Sequence, residues 1–121
     1  MKVLHMARAS NTRRRHVAGQ MNRTEHQYAQ HLDIRKAAGE ILEWHFEPLK
    51  LRLADRTYYS PDFMVILPEG WIELHEIKGF WEDDARVKIK VAAETFPYFR
   101  FISIKRVKEE WKYETIGAAH E

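Results

Sequence analysis

Cysteine is absent from the 121 residues, which excludes disulfide bonds and zinc sites built from thiolates. No apolar run approaches the roughly 18 residues that a membrane-spanning helix needs, because charged residues interrupt every longer apolar stretch. No apolar signal core follows Lys2 near the N-terminus either. We therefore expect a soluble, cytoplasmic protein that has no membrane partner.

Acidic residues are missing from residues 1–24, whose Lys and Arg side chains give a formal charge of +6. Residues 25–121 carry 14 Lys or Arg and 18 Asp or Glu, a net charge of −4. A basic segment on a mildly acidic body suits a polyanionic partner, because each neutralised phosphate releases counterions. A solvated tail is the alternative interpretation. We expect residues 1–21 to form a flexible basic arm and residues 22–121 to form one domain.

Two helices are predicted from their end signals. Asn22 can cap a first helix over residues 23–38, because Glu25 follows at the spacing of a capping box and Gly39 is a suitable stop. A second helix begins at Asp83 or Asp84 and runs to about Thr95. Its apolar face is predicted to contain Val87, Val91 and Ala92, with Ile89 beside them.

Four segments have the composition of strands. They are residues 41–53, bent at Pro48, and residues 62–67, 71–78 and 99–104. Residues 111–116 are either an edge strand or a helix. The order helix, three-strand meander, helix and strand (αβββαβ) predicts an α/β (α+β) fold with a central mixed sheet of about four to five strands flanked by helices.

Three polar residues are predicted to converge at one end of this sheet. Side chains alternate along a strand, so Glu76 and Lys78 share a face of the third strand. A short turn at residues 68–70 makes the second and third strands antiparallel neighbours, which places Asp62 opposite roughly position 76. His75 faces the other way, and we expect it to pack or to form a hydrogen bond.

Two carboxylates beside a lysine are suited to hydrolysis of phosphodiesters. Carboxylate oxygens bind hard cations such as Mg²⁺, and the lysine can orient the attacking water or offset charge in the transition state. Each residue also has a purely structural interpretation. Asp62 could simply start a strand after Pro61, and Glu76 with Lys78 could be a solvated ion pair.

The pattern Ser60-Pro61-Asp62, 13 intervening residues and then Glu76-Ile77-Lys78 resembles the signature of the PD-(D/E)xK nuclease superfamily. The resemblance covers roughly residues 22–105. Three wider segments are similar to those of small phage-encoded nucleases of the Holliday-junction-resolvase-like group: Asn-Arg-Thr-Glu, Tyr-Ser-Pro-Asp-Phe and Glu-Ile-Lys-Gly-Phe-Trp. The resemblance implies a restriction-endonuclease-like core.

The resemblance also implies roles for particular residues. Asp62 and Glu76 would ligate Mg²⁺ with help from the Ile77 carbonyl, and Mn²⁺ would substitute. Lys78 would be the cation that activates water, and no nucleotide cofactor is expected. Glu25 matches a further glutamate on the first helix of the resolvases, where it is either a catalytic metal ligand or only the cap of its helix.

The function expected from the resemblance is structure-selective cleavage of branched DNA such as Holliday junctions. Two opposed cuts need two active sites, so a homodimer is expected. A chain of 121 residues leaves little room for a separate specificity domain, which favours recognition of DNA shape. The alternatives are a restriction-like, nicking or transposon-type endonuclease of the same superfamily, and a DNA-binding module that does not catalyse cleavage.

Basic residues outside the motif could contact phosphates. The candidates for DNA binding are Arg13, Arg14, Arg15, Arg23, Arg86, Lys88 and Lys90. Acidic residues precede those of the second helix, so a balanced solvated face is the alternative there. Lys105, Arg106 and Lys108 have the same two interpretations, and Phe80, Trp71 and Trp81 either stack on bases or pack at the rim of the core.

Overall fold

Two helices and seven strands make up the residues that the computed structural model describes, 19–79 and 83–117, with only the backbone described at 83 and 84. In chain order they are α1 (Arg23–Ala37), β1 (Glu43–Phe46), β2 (Leu51–Ala54), β3 (Thr57–Tyr59), β4 (Phe63–Ile66), β5 (Ile72–Ile77), α2 (Asp83–Thr95), β6 (Arg100–Val107) and β7 (Glu110–Ile116). Neither described helix is long and apolar enough to cross a membrane.

Five strands form one mixed sheet in the order β1-β4-β5-β6-β7. β5 and β6 are parallel and are joined through α2, whereas the other neighbouring pairs are antiparallel. The predicted central mixed sheet of four to five strands with flanking helices is therefore confirmed at this level. The undecided segment around residues 111–116 is the edge strand β7.

The prediction of a single first strand over residues 41–53 is wrong. β1 pairs with β4 in the main sheet, whereas β2 leaves that sheet and pairs with β3 in a separate two-stranded hairpin. The chain bends at Glu47, whose φ of 48° lies in the left-handed region, and Pro48 follows it. The described element order is therefore αβββββαββ, with two strands more before α2 than predicted and with the undecided last segment as a strand.

Each face of the five-stranded sheet buries its own apolar cluster. α1 covers one face, and its cluster contains Tyr28, Ala29, Leu32, Ile41, Phe63, Val65, Leu67, Ile102 and Ile104. α2 and the β2–β3 hairpin cover the other face, and this cluster contains Leu51, Tyr59, Leu74, Ile89, Ala92, Ala93, Phe101 and Ile116. We call these the α1 face and the α2 face.

The first helix begins as its end signals predict. The Asn22 side chain accepts from the Glu25 N–H at 2.8 Å, and the Glu25 carboxylate accepts from the Asn22 N–H at 2.9 Å. Both bonds of a capping box are thus present. At the other end, Gly39 follows the C-terminal cap Ala38 with a φ of 81°, a backbone conformation that favours glycine.

The predicted apolar face of α2 is wrong in part. Val87 and Val91 are 57% and 40% exposed, whereas Ile89, Ala92 and Ala93 are buried against the sheet. Positions 89, 92 and 93 follow the i, i+3, i+4 spacing of a helix face. Small alanine side chains allow the helix to approach the strands closely, and the two larger valines are left on the outer side.

Gly117 ends β7 at a point where a side chain would collide with α2. Its φ is 91°, and a Cβ built there would lie 2.7 Å from the Cβ of Ala93. Gly117→Ala should therefore lower the free energy of unfolding by about 2 kcal/mol through combined strain and overlap. Gly70→Ala is the matched control, because Gly70 has a φ of 106° but nothing within 4 Å of the added Cβ. Urea denaturation showing an equal or smaller loss for Gly117→Ala would contradict this account.

Candidate active site

Asp62 and Glu76 lie side by side at one end of the five-stranded sheet. Phe63 and His75 are direct partners in the antiparallel pair of β4 and β5, so Asp62 falls opposite Glu76. The backbone N–H of Asp62 donates to the His75 carbonyl at 3.0 Å, which continues this alignment one residue beyond β4. The expected facing of positions 62 and 76 agrees with this register, and their catalytic role stays a prediction.

Each of the two carboxylates accepts a hydrogen bond from a fixed donor. The Asp62 Oδ2 accepts from the backbone N–H of Ile77 at 2.8 Å. The Glu76 Oε1 accepts from the hydroxyl of Tyr59 at 2.7 Å. Tyr59 is itself buried at the end of β3, so the small hairpin supplies the donor that orients Glu76.

Burial and mutual repulsion make this pair hard to ionise. Burial raises the pKa of Asp62 well above its ordinary value, the neighbouring Glu76 raises it further, and the bond from Ile77 acts against both effects. Burial likewise raises the pKa of Glu76 to about 7, although the hydrogen bond from Tyr59 lowers it. Glu25 raises the pKa of both groups. Such a pair is stabilised in its charged form by a cation.

Lys78 follows β5 directly and is partly buried. Its backbone N–H donates to the carbonyl of Ile104 at 2.6 Å, so the residue still takes part in the ladder with β6. Two residues beyond Glu76, it falls on the same face of the sheet by strand alternation. The register brings Asp62 and Glu76 together at one end of the α2 face, and strand alternation assigns Lys78 to the same end.

Glu25 approaches this site from α1 while it caps that helix. Its side chain is only 6% exposed, and its Oε1 accepts the Asn22 N–H. Its charge is close enough to raise the pKa of both Asp62 and Glu76. Its role in capping is confirmed, and its direct role toward a metal ion stays a prediction.

Three residues near the site had no signal in the sequence. Tyr59 orients Glu76. Glu47 donates its backbone N–H to the Asp62 carbonyl at 2.8 Å, and its charge raises the pKa of Asp62. Ser103 is the direct partner of Glu76 on β6, is 2% exposed, and its hydroxyl has no hydrogen-bond partner among the described residues. Each depends on a pairing between distant segments, which residue spacing alone does not reveal.

The basic residues predicted to bind DNA do not gather in one place. Arg13, Arg14 and Arg15 lie outside the described residues. Arg23 is exposed in the first turn of α1, two residues before Glu25. The others lie on α2, across the sheet from α1; Arg86 and Lys88 are partly buried there and Lys90 is exposed. Phe80 and Trp81 also lie outside the described residues.

His75 faces away from the site, as strand alternation predicts. It is fully buried on the α1 face, where its Nδ1 is 2.7 Å from the Tyr28 hydroxyl and its Nε2 is 2.9 Å from the Glu73 carboxylate. Burial lowers the pKa of His75, and the contact with Glu73 acts in the opposite direction. The expected packing and hydrogen bonding of this histidine are confirmed.

The donor chemistry of the site fits a hard divalent cation. Mg²⁺ in enzymes is commonly held by one or two carboxylates and keeps several waters, and Asp62 with Glu76 supplies such a pair. Among the side chains that the structure describes, in residues 19–79 and 85–117, no three or more His, Cys, Asp or Glu form a group that could hold a metal ion. Asp62 and Glu76 would hold such a cation, with backbone or water oxygens among its other ligands.

No family model, curated protein or solved structure matches this chain.

The raised pKa of Glu76 predicts how stability depends on pH in EDTA. A carboxyl whose pKa is higher in the folded chain destabilises that chain as pH rises from the unfolded value of 4.5 to the folded value of about 7. The contribution of Glu76 to the free energy of unfolding should therefore fall by on the order of 2 kcal/mol between about pH 5 and pH 8. Asp62 and His75 also titrate with shifted pKa values, so the quantity to measure is the stability of wild type minus that of Glu76→Gln, which should fall over this range. Glu69→Gln, exposed in the β4–β5 turn, should keep the pH dependence of wild type. A difference between wild type and Glu76→Gln that is constant or rises over this range in chemical denaturation would contradict the assignment.

Proposed function

We propose that this chain is a metal-dependent DNA endonuclease that hydrolyses phosphodiester bonds, with an active site formed by Asp62, Glu76 and Lys78. The observation that supports this most is the pair of neighbouring carboxylates with raised pKa values, with Lys78 two residues beyond Glu76 along the chain. A structural ion pair would not need two acids pressed together in a partly buried site. The chemistry of a hard cation and a phosphate accounts for all three residues.

Asp62 and Glu76 would hold Mg²⁺, for which Mn²⁺ substitutes. When bound, the ion polarises the phosphoryl oxygen and lowers the pKa of a coordinated water. The Ile77 N–H and the Tyr59 hydroxyl keep the two carboxylates oriented. The Lys78 ammonium orients the attacking water and stabilises negative charge that develops on the phosphate.

The substrate we propose is branched DNA such as a Holliday junction, recognised by shape. The basic side chains on α1 and α2 suit contacts to phosphates, which position a protein on DNA without specifying sequence. Two opposed cuts need two sites, so the active form would be a homodimer. A DNA-binding module that does not cleave DNA is less well supported, because clustered carboxylates repel phosphate.

Cleavage assays on DNAs of different shape test this proposal. Labelled four-way junctions, replication forks, linear duplex and single strands would each be incubated with Mg²⁺, Mn²⁺ or EDTA. Metal-dependent cutting confined to branched DNA is the expected result. Equal cutting of linear duplex would favour a restriction-like or nicking enzyme, and no cutting of any DNA would overturn the nuclease proposal.

Removing the charge of Asp62 or Lys78 should abolish cleavage without unfolding the chain. Asp62→Asn weakens the hold on the cation and Lys78→Ala removes the stabilising ammonium, so each should lower the cleavage rate by about a hundredfold or more. Asp55→Asn in the β2–β3 turn and Lys36→Ala at the end of α1 are exposed controls that should keep full activity. Single-turnover rates, with circular dichroism to verify folding, would decide; a Lys78→Ala variant of normal rate would exclude this role of the lysine.

The hydroxyl of Tyr59 should contribute to metal affinity through Glu76. Tyr59→Phe removes the 2.7 Å bond to that carboxylate, and losing a residue that orients a metal ligand typically weakens binding 10–100-fold. Tyr58→Phe is the matched control, because Tyr58 is a neighbouring tyrosine that is 41% exposed. Calorimetric titration with Mn²⁺ measures both variants. Equal affinity in Tyr59→Phe and Tyr58→Phe would show that the hydrogen bond does not position Glu76 for the ion.

A further inference from the structure

Three lysines occupy one row across the α2 face, next to the carboxylates. Lys105 on β6 and Lys112 on β7 are direct partners in the antiparallel register. Ile77 and Ile104 are partners in the parallel register of β5 and β6, so the next residues, Lys78 and Lys105, are neighbours as well. The row therefore runs from the candidate active site to the edge strand of the sheet.

Next to the lysine row lies a second row, which contains two acids and a serine. Glu76, Ser103 and Glu114 are aligned across the same three strands, and each lysine is two residues away from one member of that row along its strand. Residues two apart share a face, so the two rows are adjacent on one surface. A cation bound at Glu76 and phosphates bound by the lysine row would be brought together.

Like charges directly opposite each other on neighbouring strands destabilise a sheet. Lys105 and Lys112 are both exposed. Lys112 forms an ion pair with Glu110 at 3.0 Å, and Glu114 shares its face, but exposed ion pairs of this kind contribute only about 0–1 kcal/mol. A cross-strand lysine pair that continues from a catalytic lysine is therefore explained better by an anionic ligand than by stability.

We propose that Lys105 and Lys112 continue from Lys78 as a phosphate-binding row, which carries one nucleic-acid strand from the cleavage site across β6 to the edge at β7. Neighbouring strands are about 4.8 Å apart, so the row spans about 10 Å. That length corresponds to about three nucleotides at roughly 3.4 Å of rise each. The identity of the partner rests on the proposed function, whereas the binding of a polyanion does not.

The test is the salt dependence of DNA binding in EDTA, where cleavage by a metal-dependent enzyme does not occur. Fluorescence anisotropy would measure the affinity of the full chain for a labelled four-way junction over a series of KCl concentrations. Lys105→Gln and Lys112→Gln are made singly and together. Lys36→Gln is the matched control for Lys112→Gln, because Lys36 is also exposed and also pairs with a glutamate, Glu43, at 2.9 Å.

Each lysine that binds a phosphate should lower the slope of log affinity against log salt by about 0.9. The double variant should therefore lose about 2 units of slope and bind several-fold more weakly, while Lys36→Gln changes neither quantity. The thermal midpoint of the double variant without DNA should be unchanged or higher than that of wild type, because the two opposed lysine charges are gone. An unchanged salt slope in the double variant, or an equal loss of slope in Lys36→Gln, would overturn the proposed phosphate-binding row.

The two proposals can fail separately. A double variant with normal DNA affinity, in an enzyme that still cuts junctions with Mg²⁺, would exclude the lysine row and leave the nuclease intact. Loss of the slope in a protein that cuts no DNA would support the row and overturn the nuclease. A wild-type chain that does not bind DNA at all would overturn both.

Discussion

The antiparallel register of β4 with β5 is the constraint on which the site depends. Phe63 opposite His75 and Met64 opposite Leu74 set this register, and Phe63, His75 and Leu74 are fully buried. A shift by one residue would move every side chain of β4 to the other face, so the apolar clusters on both faces enforce the pairing. The same pairing places Asp62 beside Glu76, and the geometry of the site thus follows from the packing of the core.

The β2–β3 hairpin gives the site its own cover and its own donor. Leu51 and Tyr59 of the hairpin pack in the cluster on the α2 face, which holds the Tyr59 hydroxyl in place against Glu76. Without that bond and the Ile77 N–H, burial would favour the neutral form of both carboxylates still more strongly. The β2–β3 hairpin adds no strand to the main sheet, but through Tyr59 it stabilises the charged form of Glu76.

Local signals in the sequence predicted α1, β4, β5 and the meeting of Asp62 with Glu76. Alternation along a strand and a short turn are sufficient for that inference, because both act over a few residues. The hairpin was missed because Leu51 and Leu53 suit any half-buried strand, and only tertiary packing selects β3 as the partner of β2. Val87 and Val91 misled the prediction for α2 in a similar way, since composition does not show which helix face meets the sheet.

The polar groups on the two faces of the sheet differ in their hydrogen bonds and in the charges around them. On the α1 face, His75 is bonded to Glu73 and Tyr28, and Tyr28 in turn reaches Tyr113; the exception there, the buried Nε of Arg100, belongs to a guanidinium stacked on Trp71. On the α2 face, acids repel one another and the buried hydroxyl of Ser103 has no partner within the described part of the chain. Each face has one buried polar atom without a partner among the described residues, and Asp62 and Glu76 each accept a hydrogen bond. What distinguishes the α2 face is two neighbouring carboxylates whose pKa values are raised by burial and by nearby negative charge. Holding like charges together in a partly buried site costs stability, and the proposed cation would offset that cost.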